Sequence, residues 1–241
     1  MFHVKQAMRM QDSFMESERE VLRSILPILG KEFDFNEENI AKKLISYGKQ
    51  LFEYNKFTQL ISRKDEAVFY ERHIAECLAV APIIGENRNS LIVDLGTGAG
   101  LPGVPLALLF NRTRFLLVDA KEKRTKFLRN VVDQLRLEKV DVVWDRIENL
   151  NYIKKYRKII VVARAVAPLS KLWGWCTCFD LEKRGVLFAM KGGNLKNEIG
   201  DLKNDYPGLQ IEILKYDSRL VDEAKERVLV KIYSSARTEN E

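Results

Sequence analysis

The chain has 241 residues, 46% hydrophobic and 31% charged, with 13 glycines, 6 prolines and a formal net charge of +6. That is enough for one large core or a domain with an appendage, and the composition excludes fibrous and disordered classes. No apolar run approaches the roughly 20 residues of a membrane span, the N-terminus carries no secretory h-region, and the charge tolerates a polyanionic partner without demanding one.

Residues 14–82 read as helical. Asn36 is placed to cap a helix whose first turn carries Glu37 and Glu38, the sign that suits the helix dipole. Ile40, Leu44, Tyr47, Leu51 and Phe52 then recur at helical spacing. Asp65 is expected to cap another helix running to about Val80. Pro82, Gly85 and the segment ENRNS close this region, and residues 1–85 are expected to be a helical layer packed on the core.

From residue 91 short apolar runs alternate with longer helical patterns. The strand candidates are 91–95, 115–119, 140–144, 158–163, 185–190, 209–215 and 227–233. The early strands are nearly continuously apolar and alternate with helices. That pattern predicts an α/β domain over 86–241, with a mostly parallel sheet of seven strands covered by helices on both faces. The last two strands are close enough in sequence for an antiparallel hairpin at the edge.

The stretch VDLGTGAGLPG, residues 93–103, follows the first strand. Glycines there let the chain turn sharply and let a ligand approach the backbone, while the next helix offers unpaired N–H groups. Asp119 ends the second strand 19 residues past Gly100, the spacing of an acid that binds ribose hydroxyls. Residues 98–103 formally match the dinucleotide fingerprint. Asp94, however, precedes the glycines, and an acid there suits a cationic cofactor with a free amino group better than a pyrophosphate. S-adenosylmethionine is therefore favoured over a dinucleotide.

The segments RHIAECLAVAP, VDLGTGAGLPGVPLAL, LLVDAKEKRTKFLRNV, ARAVAPL and AMKGG occur in that order. Together they resemble the RsmG family (GidB, glucose-inhibited division protein B) over about residues 40–235. The resemblance implies a Rossmann-like class I methyltransferase fold. It also implies S-adenosylmethionine-dependent methylation of guanine N7 in bacterial small-subunit (16S) rRNA, in the cytoplasm. As cofactor residues it implies Asp94, Gly96, Gly98, Gly100, Leu101, Asp119, Ile147, Glu148 and Arg164, with Lys191 at the family's lysine position after the fifth strand. The chain departs from the family at Gln59-Leu60-Ile61, at Glu76 in place of aspartate, and at Ala120 in place of serine.

N7 of guanine carries a lone pair and no proton, so no general base is expected; Arg164 and Lys191 are the candidates for positioning the guanine. Lys121, Lys123 and Arg124, beside the second strand, are candidate RNA contacts, although a solvated helix face explains residues 121–129 equally well. The basic run 154–158 reads better as solvated surface. His73 is placed to meet RNA or the cofactor pocket, or else to pack as a hydrogen-bonded side chain. Trp144, Trp173 and Trp175 are candidates for base stacking, although core packing suits most of them better. Cys77, Cys176 and Cys178 read as reduced thiols, and with only His3 and His73 for company they predict no metal site. Partners are thus 16S rRNA or the small ribosomal subunit, with no membrane and no metal. Three other readings stay open: a methyltransferase acting on another RNA position, a nucleotide-dependent oxidoreductase, and a non-catalytic RNA-binding module.

Overall fold

The computed structural model describes residues 18–221 and 226–235. Helix α1 covers 18–29 and α2 covers Glu37–Asn55, the latter capped as its sequence predicts, with the Asn36 side chain accepting from the Asn39 N–H at 2.8 Å. The next segment differs from the single helix expected to begin at Asp65. Ser62 is the cap, its hydroxyl accepting from the Asp65 N–H, and it starts the short α3 (Arg63–Glu66). A π-helical stretch, Phe69–Ile74, then leads into α4 (Ala75–Ala79) and α5 (Ala81–Ile84). The break follows Val68, whose φ of −124° and ψ of 24° leave the helical range. Residues 1–17 of the expected N-terminal helical region lie outside the described residues.

The remaining elements are β1 (Ser90–Leu95), α6 (Gly103–Leu109), β2 (Arg114–Asp119), α7 (Glu122–Leu135), β3 (Val140–Trp144) and β4 (Lys158–Arg164). After them come α8 (Leu169–Cys176), α9 (Leu181–Arg184), β5 (Gly185–Gly192), α10 (Lys196–Asp205), β6 (Leu209–Lys215) and β7 (Arg227–Ser234). All seven strands join one sheet in the order β3-β2-β1-β4-β5-β7-β6. The first five pair parallel, and β7 runs antiparallel between β5 and β6. The C-terminal pair is thus a hairpin, but its second strand is the one that joins the sheet.

Side-chain alternation along the strands builds two cores. Ile92 of β1 and Leu117 of β2 pack with Leu44, Tyr47 and Val104 on one face, so the N-terminal helices and α6–α7 share that layer. Leu91, Val93 and Leu95 point the other way, to Leu172, Trp173 and Phe179 around α8 and α9. Every residue of β1 is buried, as a strand covered on both faces must be. The chain leaves β1 for β2 and β3 on one side and returns to β4 on the other. The carboxyl ends of β1 and β4 therefore form the switch point where such sheets bind ligands.

Candidate active site

The turn after β1 is held by two carboxylates. Asp94 is wholly buried, and its Oδ2 accepts from the Thr97 hydroxyl at 2.6 Å and the Gly103 N–H at 2.8 Å. Its Oδ1 is buried with no partner among the described residues. Burial raises the Asp94 pKa to about 7, against the pull of those two hydrogen bonds. Asp119 accepts from the Gly98 N–H at 3.0 Å and from Arg124 Nη1 at 3.1 Å on Oδ2, and from the Lys121 N–H at 2.8 Å on Oδ1.

A cavity of about 350 Å³ opens against this turn, walled by Gly96, Asp119, Ile147, Glu148, Val166 and Trp175, with Lys121 and Arg124 also lining it. Gly96 has φ +68°, and a Cβ there would lie 2.8 Å from Val166, so only glycine leaves this wall open. The apolar Ile147 and the carboxylate of Asp119 on the wall, with the unpartnered buried oxygen of Asp94 in the turn behind it, are the features an adenosine-bearing, amino-acid-bearing cation needs, and the residues fit S-adenosylmethionine.

A second cavity, about 490 Å³, includes Arg164, His73, Glu76, Asp65 and Arg227 in its lining. Arg164 ends β4 and faces this cavity, while Ala165 and Val166 face the first. Ala165 between them has φ 54°, the left-handed region that an alanine enters only under constraint. Arg164 is 14% exposed and has several partners: Glu76 Oε2 at 3.1 Å, Cys77 Sγ at 3.7 Å and His73 Nδ1. A guanidinium cannot accept a hydrogen bond, so Nδ1 is the acceptor and the His73 proton sits on Nε2. That nitrogen faces Asp65 Oδ1 at 3.5 Å. Burial, with Arg164 beside it, lowers the His73 pKa to about 4, so the ring is neutral near pH 7.

The structure gathers Gly96, Asp119, Ile147, Glu148, Lys121 and Arg124 around the first cavity and Arg164 and His73 around the second. Asp94, Gly98 and Gly100 lie in the turn behind the first wall, and Leu101 is buried there. Lys123 is exposed, its carbonyl accepting from the Tyr54 hydroxyl at 3.0 Å. Lys191 lines neither cavity. Its ammonium donates to the Ala167 carbonyl at 2.8 Å and to Glu198 at 2.7 Å, stapling β5 to the β4–α8 connection and α10. Of the three tryptophans only Trp173 is a core residue; Trp175 lines the first cavity, and Trp144 is 53% exposed with its indole N–H on the Ala120 carbonyl. Sequence reasoning missed Glu76, which bridges Arg164 and Arg227, because the antiparallel register that sets Arg227 beside Gly192 leaves no local signal. Among the described residues no helix is long and apolar enough to cross a membrane, and no group of three or more His, Cys, Asp or Glu could hold a metal ion.

A family model described as rRNA small subunit methyltransferase G (GidB) matches residues 40–227. Curated proteins named ribosomal RNA small subunit methyltransferase G are similar along most of the chain. The Acetivibrio thermocellus protein is 30% identical over 233 residues, covering 93% of this chain and 94% of its own length. One from Escherichia coli O17:K52:H18 is 32% identical, covering 87% of this chain and 96% of its own. One from Chlorobium luteolum is 38% identical over a shorter stretch, 66% of this chain and 65% of that protein. Among solved structures, a mutant of MtNAS in complex with S-adenosylmethionine has a TM-score of 0.51 at 12% identity, covering 92% of this chain and 97% of that one. That likeness is one of fold.

Proposed function

Because this chain belongs to the rRNA small subunit methyltransferase G (GidB) family, we propose that it uses S-adenosylmethionine to methylate N7 of a guanine in 16S rRNA of the small ribosomal subunit, in the cytoplasm. The observation that carries this reading is the pair of cavities at the switch point. One is walled by the glycine turn and Asp119, the other by Arg164 and His73, and consecutive residues of the β4 terminus face the two.

In this reading Asp119 takes the ribose hydroxyls, Ile147 and Glu148 the adenine end, and the free oxygen of Asp94 the amino group. Gly96, Gly98, Gly100 and Leu101 shape the turn around them. S-adenosylmethionine, when bound, supplies an electrophilic methyl whose bond to sulfur breaks, the pair staying on sulfur, as the bond to N7 forms. N7 carries no proton, so no side chain need remove one, and a neutral His73 in the second cavity is consistent with that. Arg164, fixed by Glu76, Cys77 and His73, is assigned to orienting the guanine in the second cavity by donating to its O6, so that positioning does the catalytic work. Lys191 contributes by holding the β4–α8 connection. Lys121 and Lys123, exposed beside the first cavity, are assigned to RNA phosphates, and Arg124 is shared between that role and Asp119.

The test pairs two measurements. S-adenosylhomocysteine should bind the purified chain while NAD should not, and 7-methylguanine should be lost from 16S rRNA of cells lacking the protein. Arg164→Ala should stay folded and lose methyl transfer. Binding of NAD instead, or an unchanged methylation map, would overturn the assignment.

A further inference from the structure

Glu76 holds two guanidinium groups in unequal circumstances. Arg164 is buried, and its two Nη groups contact Glu76, Cys77 and His73. Arg227, at the start of β7, is 49% exposed, and among the described residues its one ion-pair partner is Glu76 Oε1 at 3.5 Å. The carboxylate orients this second guanidinium without consuming its fork. Gly192 of β5 pairs with Arg227 in the sheet, and a Cβ there would come within 3.1 Å of the arginine side chain, so the glycine lets Arg227 lie flat over the strand end. Arg72 lines the same cavity with its side chain 55% exposed and Asp65 no nearer than 4.0 Å.

We propose that Arg227, with Arg72 on the same cavity, holds the phosphate of the nucleotide whose base enters the Arg164 cavity. The inference rests on the methyl-transfer reading and adds a residue to it. The chemistry of N7 decides between phosphate and base. An arginine fork that reads guanine usually engages O6 and N7 together, and here it would occupy the lone pair that must attack. A half-exposed guanidinium that shares Glu76 with the buried Arg164 and keeps its outer nitrogens toward solvent has the phosphate as its proper ligand. Glu71 lines the same cavity and is exposed, so it opposes an anion there.

The test uses the complete chain and small ribosomal subunits that lack the modification. Arg227→Gln should raise KM on the order of 10-fold and leave S-adenosylhomocysteine affinity unchanged. It should also flatten the dependence of log(kcat/KM) on log salt by about 1. Arg72→Gln, at an exposed position where folding is not at stake, should do the same more weakly, and Glu71→Gln should lower KM. Free guanosine 5′-monophosphate should inhibit the wild type better than guanosine does, and the advantage should shrink in Arg227→Gln and vanish when Arg72→Gln is added, which separates a phosphate contact from a base contact. Unchanged KM and salt slope in both arginine variants overturn the proposal, as does equal inhibition by nucleotide and nucleoside in the wild type. Parallel loss of S-adenosylhomocysteine binding in Arg227→Gln overturns it too. Wild-type chain that binds no S-adenosylhomocysteine defeats the methyltransferase reading itself, a separate result.

Discussion

Tyr47, in the middle of α2, donates its hydroxyl proton to the carbonyl oxygen of Ala99 at 2.8 Å, a contact between residues 52 apart in sequence. Both residues are buried, and Ala99 lies inside the glycine turn. The helical layer is therefore fastened to the wall of the proposed cofactor site rather than merely resting on the sheet. Tyr47→Phe leaves a buried carbonyl unpaired, at a cost of about 1–3 kcal/mol. The expected result is a lower denaturation midpoint together with weaker S-adenosylhomocysteine binding. A stability loss with unchanged affinity would show that the helix supports the fold and not the turn.

Asp119 is the meeting point of two backbone N–H groups and one guanidinium. Asp119→Asn keeps the volume but gives the site one acceptor oxygen and an NH₂ that faces other donors. The expected loss is on the order of 2 kcal/mol or more, since one of three charge-assisted bonds turns into a donor–donor clash. Calorimetry with S-adenosylhomocysteine should show binding weakened by at least about 10-fold. Retained affinity would remove Asp119 from the ribose contact.

Gly103 opens α6 where the backbone meets Asp94 most closely. A Cβ at this position would lie 2.3 Å from Leu117 and 2.5 Å from Asp94 Oδ2, far inside contact distance. Gly103→Ala must push the helix start off the carboxylate and break the Gly103 N–H bond to it. Overpacking of this kind costs about 1–3 kcal/mol. Loss of binding with a cooperative unfolding transition preserved is the expected signature, read by circular dichroism and calorimetry on the same sample.

Much of this was legible beforehand, for identifiable reasons. The seven strands sit within a residue or two of the apolar runs that announced them; the inner ones, β1, β2, β4 and β5, are covered on both faces and so need nearly continuous hydrophobic sequence. Asn36 worked as a cap because capping is local. The misplaced helix start was local too: Ser62 and Asp65 are both good caps, and Ser62 lies nearer the end of the preceding loop. Lys191 was out of reach of pattern, since its strand-end position fits a cavity-facing side chain as well as a staple to Glu198. The Glu76 bridge depends on β7 inserting beside β5, a tertiary choice that leaves no periodicity in the sequence.

The orphaned oxygen of Asp94 makes stability and binding respond to pH in opposite directions. Burial, reinforced by the negative charge of Asp119, lifts the carboxyl to about 7, against about 3.9 in an unfolded chain. The folded state therefore binds more protons than the unfolded state between those values, and stability falls as pH rises from about 4 to about 7, then levels. For this one group the slope is at most about 1.4 kcal/mol per pH unit. It should appear as the difference between wild type and Asp94→Asn in denaturant unfolding across that range. A cation placed against Oδ1 reverses the preference: the carboxylate becomes the favoured form and a proton is released. S-adenosylhomocysteine affinity should then rise from about pH 5 toward pH 7 in the wild type and stay flat in Asp94→Asn. Calorimetry in buffers of different ionisation enthalpy counts the proton directly. Binding without proton release in that window would mean that the amino group lies elsewhere and that Asp94 serves the turn alone, through Thr97 and Gly103.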